Sequence, residues 1–146
     1  MNLLHHHVGV SVSDLDESRK WYADVLGMTE SYAFEIPPFG VRGCFMAGYG
    51  TRLELIERAG SGGGIGGHHP PAALLTRGFG HIAFETGDVD AAFAEIVARG
   101  ATAVWDPRPS PEPGVRMAFV ADIDGNLVEL VETGAGGSAR DVTSDR

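Results

Sequence analysis

Two histidines and two glutamates occur at matched spacings along the 146-residue chain, and all four carry groups that bind divalent cations. His7 precedes Glu54 by 47 residues, and His81 precedes Glu129 by 48. Imidazole and carboxylate groups together suit zinc, nickel, cobalt, iron or manganese. The four residues are therefore candidate ligands of one metal ion, and the two glutamates are also candidate proton carriers.

The strands that carry these residues should turn all four away from the helices of the fold. Strand side chains alternate between two faces. The immediate strand neighbours of the four residues are apolar and lie on the opposite face: Val8 next to His7, Leu53 and Leu55 next to Glu54, Ile82 next to His81, and Val128 and Leu130 next to Glu129. A lone histidine on a strand is more often structural, and a lone glutamate between apolar residues more often faces solvent. The joint pattern favours a metal, because burying two carboxylates without partners is costly.

These spacings belong to an internal repeat with a period of about 74 residues. Each copy begins with a strand, continues into a helix capped by Asp14 or Asp88, and closes that helix at Gly27 or Gly100. Further strands follow, so each copy is predicted to be a βαβββ unit. One unit alone could not cover its own sheet. We therefore expect an α+β fold in which two tandem βαβββ modules, related by pseudo-twofold symmetry, form a metal-binding cleft.

The repeat also sets the expected boundaries. Residues 1–146 form a single domain, with the first module at 3–57 and the second at 79–132. Between them, residues 58–78 are a Gly- and Pro-rich linker, with a mobile flap over the site as the less favoured alternative. Its G-x-G-x-x-G match does not open a helix, so nucleotide binding is not expected. The Gly- and Ser-rich tail, residues 133–146, is predicted to be disordered.

Composition excludes several classes of function. Twenty acidic residues against 11 basic ones give a net charge of −9, which argues against a nucleic-acid partner. No apolar run approaches the roughly 18–20 residues that span a bilayer, so no membrane partner is expected. The lone cysteine, Cys44, is expected in the core and allows no intrachain disulfide, which fits a cytoplasmic protein. An anionic ligand would need a local arginine, and Arg42, Arg52 and Arg116 lie on predicted strands.

Three consecutive histidines near the N-terminus are too few for a purification tag, and the strand pattern runs through them. His7 lies seven residues before the aspartate that caps the first helix, as His81 does in the second copy. The repeat therefore selects His7 as the ligand. His5, on the same face, is expected at the rim of the site, whereas His6 should point toward the helices or into solvent.

Residues 3–132 resemble the vicinal oxygen chelate superfamily, which includes glyoxalase I, methylmalonyl-CoA epimerase, extradiol dioxygenases and bleomycin resistance proteins. The motifs that carry the resemblance are HHVGVSVSDLDESRKWYADVLG, LELIE, GHIAFETGDV and DIDGNLVELVE. It implies that the metal ligands of the family correspond to His7, Glu54, His81 and Glu129. Ser11 stands where many glyoxalase I enzymes carry a glutathione-binding arginine, and RAG follows LELIE where they have an asparagine–tryptophan–glycine run.

The resemblance implies a divalent-metal-dependent, glyoxalase-like isomerase, epimerase or lyase. Four protein ligands on a six-coordinate ion leave two positions for the vicinal oxygens of a small-molecule substrate. The metal would stabilise an enediolate while Glu129 or Glu54 transfers the proton. Proteins of this fold often form homodimers, and a homodimer is expected here.

Two other functions remain open at this point. An Fe(II) extradiol-type dioxygenase would use His7, His81 and Glu129, although the acid at Glu54 weighs against ring cleavage. A non-enzymatic protein that sequesters an aromatic antibiotic would use the same cleft without turnover. Relatives that only bind such ligands commonly lack the four metal-binding residues, so their presence favours an enzyme.

Overall fold

The computed structural model describes residues 1–64 and 69–134. Two modules with the same order of strands and α-helices follow each other along this part of the chain, and the first has an additional 3-10 helix at Pro37–Phe39. The elements of the first module are β1 (Val8–Val12), α1 (Leu15–Asp24), β2 (Thr29–Ile36), β3 (Val41–Gly48) and β4 (Thr51–Arg58). A one-turn helix, α2 (Pro70–Ala73), precedes the second module, whose elements are β5 (His81–Glu85), α3 (Val89–Ala98), β6 (Thr102–Pro109), β7 (Val115–Ala121) and β8 (Leu127–Thr133).

Each module contains one four-stranded sheet. The strand orders are β1-β4-β3-β2 and β5-β8-β7-β6, so the two sheets have the same topology. In both, the first strand pairs in parallel with the last, and the other neighbours are antiparallel. The parallel pairing follows from the helix that crosses over after the first strand. The predicted α+β fold of two βαβββ modules is confirmed.

Equivalent residues begin the two long helices. The Asp14 carboxylate accepts a hydrogen bond from the backbone N–H of Glu17 at 3.0 Å, and Asp88 accepts one from Ala91 at 2.9 Å. Both predicted N-caps are confirmed. The predicted left-handed glycines are confirmed as well, since Gly27 and Gly100 follow the helices with φ angles of 69° and 115°.

The helices and the inner faces of both sheets share one core. Tyr22 and Leu55 of the first module are buried in the same cluster as Val120 and Val128 of the second. Cys44 lies in this cluster with no exposed surface, as predicted. Because this core covers the helix-facing side of each sheet, the opposite side, which carries the histidines and glutamates, is left to form a site.

The segment between the modules lies partly outside the described residues. The strand β4 runs to Arg58, and the imidazole of His69 stacks on Trp105 with 6.4 Å between ring centroids. The predicted disordered tail falls almost wholly outside the described residues, since β8 ends at Thr133 and the description ends at residue 134. Within the described ranges, no helix has the length and apolar character needed to cross a membrane.

Candidate metal centre

The first pair of predicted ligands lies at the start of β1. His7 immediately precedes this strand, and its Nε2 lies 3.2 Å from Oε2 of Glu54 on β4. The Cα of Glu54 is paired with that of Gly9, two residues after the histidine. The glutamate side chain is 20% exposed and the histidine side chain 33%. The pair is therefore accessible from the side of the sheet opposite the core.

The second pair repeats this arrangement. Nε2 of His81, the first residue of β5, lies 3.0 Å from Oε2 of Glu129 on β8. The Cα of Glu129 is paired with that of Ala83, again two residues after the histidine. Parallel pairing in the same register thus produces the same diagonal contact in both modules.

Both pairs fit a divalent cation. Two ligand atoms that each lie about 2.1 Å from a metal and bind it at right angles are about 3.0 Å apart, which matches the 3.2 and 3.0 Å observed. Burial raises the pKa of Glu129, although the nearby His81 opposes this shift. A carboxylate that is 15% exposed would gain more from a bound cation than from a single imidazole.

A single chain does not bring the four predicted ligands together. Among the described residues, Asp88, Asp90 and Glu132 form the one group of three or more potential ligands whose ligand atoms all lie within 4.8 Å of one another. None of the four predicted ligands belongs to this group. That acidic group has a structural explanation. Glu132 accepts a hydrogen bond from the first N–H of α3, and Arg116 forms ion pairs with Asp90 and Glu132. Each module therefore contributes half of the predicted ligand set.

Two phenylalanines support the histidines and were missed by sequence reasoning. Phe45 of β3 pairs with Glu54, and Phe119 of β7 pairs with Glu129. Each ring meets its histidine edge to face at 5.3 Å between centroids. The repeat offered a signal for them, because each lies on the strand that pairs with the glutamate strand and directly opposite the glutamate. These contacts restrict the rotation of the imidazoles of His7 and His81.

The remaining N-terminal histidines lie on the surface beside His7. Nδ1 of His6 is 2.7 Å from Nδ1 of His7, and Nη1 of Arg52 is 3.3 Å from Nε2 of His6. His6 therefore does not point toward the helices, one of its two expected directions, and is exposed instead. His5 hydrogen-bonds Thr51 at 3.1 Å, beside the same strand that carries Glu54. A ligand histidine in a metal site typically donates its second ring N–H to an acceptor. Nδ1 of His6 can accept from Nδ1 of His7 when the proton of His6 is on Nε2.

Two of the three candidate arginines bind the helix N-termini. Arg42 forms ion pairs with Asp16 and Glu57, and Arg116 does the same with Asp90 and Glu132. The hydrogen bond from Arg42 and its charge lower the pKa of Asp16. Arg52, the third, lies beside the first His–Glu pair.

A cavity of about 360 Å³ separates β1 from β5. His81, Ser11 and Asn126 line it, together with residues 61–64 of the linker. Its volume is in the range of small-molecule sites. One of the predicted ligands thus borders a space large enough for a small substrate.

Fold and side-chain geometry together define a protein of two repeated modules, each with one His–Glu pair in an equivalent position. The family model described as the Glyoxalase/Bleomycin resistance protein/Dioxygenase superfamily matches residues 5–130. The chain belongs to this superfamily, that of the vicinal oxygen chelate fold.

Several curated relatives match across most of the chain. A probable lactoylglutathione lyase of Synechocystis sp. is 33% identical over 129 residues, which cover 87% of this chain and 93% of that protein. Mouse mitochondrial methylmalonyl-CoA epimerase is 29% identical over 131 residues, covering 86% and 70%. The chain spans only 44% of the lactoylglutathione lyase GLX1 of Arabidopsis thaliana, at 30% identity.

Solved structures also superpose on most of the chain. Glyoxalase I from Zea mays superposes with a TM-score of 0.69 at 27% identity, covering 87% of this chain and 43% of that one. A fosfomycin resistance protein from Listeria monocytogenes, at 21% identity and a TM-score of 0.65, covers 93% and 98% and shares the fold.

Proposed function

We propose that the protein is a divalent-metal-dependent, glyoxalase-like enzyme, an isomerase, epimerase or lyase that moves a proton on a small substrate with two vicinal oxygens. One observation carries the proposal. The pairs His7–Glu54 and His81–Glu129 occupy equivalent positions, with ligand atoms 3.2 and 3.0 Å apart. The relatives named lactoylglutathione lyase and methylmalonyl-CoA epimerase support this choice of reaction class.

The four residues of these pairs would hold the cation, chosen from nickel, cobalt, zinc, manganese or iron. When bound, it would act as a Lewis acid toward the substrate oxygens. The histidines would bind through Nε2, the atom that each directs at its glutamate. Phe45 and Phe119 would hold the imidazoles in this orientation.

The glutamates would also move the proton. A carbon acid next to a carbonyl group needs a base held within hydrogen-bond reach, and a carboxylate works best when its pKa approaches the working pH. Burial raises the pKa of Glu129. Glu129 and Glu54 are both proposed as the base, and the stereochemistry of the substrate selects between them.

A second copy of the chain would complete the site. In one chain the two His–Glu pairs are apart, and the two modules share a core of buried residues. Both pairs are partly exposed on the sheet faces opposite this core. We propose a homodimer in which the first module of one copy faces the second module of the other, giving two complete sites.

The test begins with metal content. The protein is stripped with a chelator, reloaded with single metals and analysed by mass spectrometry, with wild type expected to bind about one ion per chain. Exchange of substrate hydrogen for deuterium in D₂O is then followed by NMR with lactoylglutathione and with methylmalonyl-CoA.

Glu54→Gln and Glu129→Gln should lower metal content, exchange or both. Glu95→Gln, an exposed helical substitution, should leave both unchanged. Full metal content and full activity in both site variants would refute the proposal. Oxygen consumption with catechols would instead identify the dioxygenase, and tight binding of an aromatic antibiotic by metal-free protein without turnover would identify the sequestering protein.

A further inference from the structure

Arg52 lies on the same face of β4 as Glu54. The two residues are separated by one strand position, so their side chains project from the same side of the sheet, about 6–7 Å apart at their bases. The Arg52 guanidinium lies over Phe45, with Cζ 4.2 Å from the ring centroid. The same ring packs against His7. One aromatic side chain thus links a guanidinium to the first metal-binding pair.

The guanidinium of Arg52 has no acidic partner among residues 1–64 and 69–134. Arg19, Arg42, Arg99 and Arg116 all form ion pairs with aspartates or glutamates within 4.0 Å, whereas Arg52 forms none in these ranges. Arg58, Arg77 and Arg108 also form none, but these three are exposed and Arg52 is half-buried. Its polar contact is Nη1 to the ring of His6. In a chain of net charge −9, a half-buried arginine with two nitrogens left over is a binding group for an anion.

The repeat shows that folding does not require an arginine here. Arg52 lies two residues before Glu54, and the residue two before Glu129 is Leu127, which is 3% exposed. The second module therefore builds the same His–Glu pair with an apolar residue at this position. Arg52 therefore adds a positive charge beside the His7–Glu54 pair, and the His81–Glu129 pair has no such charge at the equivalent position.

We propose that Arg52 binds a carboxylate of the substrate and so determines the substrate class. Resting on the function proposed above, this inference defines a molecule that carries both two vicinal oxygens and a carboxylate, with the carboxylate on the side of the His7–Glu54 pair. A guanidinium matches a planar carboxylate with two parallel hydrogen bonds. Phe45 holds the guanidinium over its face and limits the entropy lost on binding.

Two probes that differ in one group test this inference. The zinc-loaded protein is titrated with 3,4-dihydroxybenzoate and with 3,4-dihydroxybenzamide, which share the vicinal oxygens but differ in charge. Arg52→Leu introduces the residue that the repeat already tolerates. We expect this variant to bind the benzoate about 10–100-fold more weakly and the benzamide within about twofold of wild type. Arg58→Leu, with the same loss of charge on the same strand, should change neither.

The outcomes separate this inference from the proposed function. Wild-type protein that bound neither zinc nor the benzamide would overturn both. Zinc binding with equal benzoate affinity in wild type and Arg52→Leu would overturn the role of Arg52 alone. An equal loss for both probes, with a weakened dimer in sedimentation, would also overturn it and assign Arg52 to the contact between copies.

Discussion

The hydroxyl of Tyr22 donates a hydrogen bond to the carboxylate of Asp122 at 2.9 Å, which joins α1 of the first module to the end of β7 in the second. Both side chains are buried, at 1% and 3% exposure. Asp122 also accepts hydrogen bonds from the backbone N–H groups of Asp124 and Asn126. One buried polar contact thus fixes the two modules relative to each other, and with them the directions in which the two His–Glu pairs face.

Removing this hydrogen bond should destabilise the whole chain. Tyr22→Phe keeps the ring and deletes the donor, so we expect the free energy of unfolding to fall by about 1.5–3 kcal/mol, the range for a hydrogen bond to a charged group. Urea unfolding measures the change. Tyr32→Phe is the control because Tyr32 is 61% exposed. Equal unfolding midpoints for the two variants would contradict a role for Tyr22 in joining the modules.

The thiol of Cys44 should be protected in the native protein. Burial raises its pKa to about 11, and its side chain has no exposed surface. Thiolate is the reactive form, so a thiol reagent at pH 8 should modify Cys44 only as fast as the protein opens. Because the pKa of the thiol is higher in the folded state, the contribution of Cys44 to the free energy of unfolding is fully present below the ordinary thiol pKa of 9.0. This contribution is lost as the pH rises toward 11. Rapid labelling of folded protein would contradict this account.

The repeat explains why so much of the fold was predictable. Asp14 and Asp88 cap helices at matched positions, and the same spacing that identified them located both histidines. Strand alternation then placed Glu54 and Glu129 on the face opposite the core. These features depend on local sequence and strand pairing, which a single sequence records directly.

The arrangement of the modules was not predictable in the same way. Tyr22 and Asp122 are 100 residues apart, and nothing in their local sequences indicates that they meet. Sequence symmetry implied one cleft containing four ligands, whereas the shared core leaves each pair on a separate sheet face. Likewise, the contact of His6 with His7 depends on the path of the chain before β1, which strand alternation does not describe.

His6 should strengthen metal binding through His7. Its Nδ1 lies 2.7 Å from Nδ1 of His7, so it holds the ligand ring with Nε2 directed at Glu54. Loss of such a contact typically lowers metal affinity about 10–100-fold. We expect His6→Ala to fall at the lower end of that range in a competition titration with a zinc chelator, because Phe45 still packs against His7. His5→Ala should change affinity little, and equal effects of the two substitutions would exclude a specific role for His6.

Mixing two inactive variants should restore metal binding if each site is shared between copies. One variant carries His7→Ala with Glu54→Gln, and the other carries His81→Ala with Glu129→Gln. Each homodimer lacks half of the ligands at both sites, since every site takes one pair from each copy. In a mixed dimer, the intact first module of one chain faces the intact second module of the other, which rebuilds one site.

The fraction of metal sites recovered after mixing follows from the proposed arrangement of the dimer. Random exchange of subunits makes about half of the dimers mixed, so about a quarter of the wild-type sites should return after unfolding and refolding the variants together. Metal content and deuterium exchange should recover in parallel. The control is each variant refolded alone at the same total concentration, which should stay inactive. Differential tagging shows whether mixed dimers have formed. If they have formed and the mixture recovers neither metal content nor deuterium exchange, the His–Glu pairs of one chain do not combine with those of a second copy.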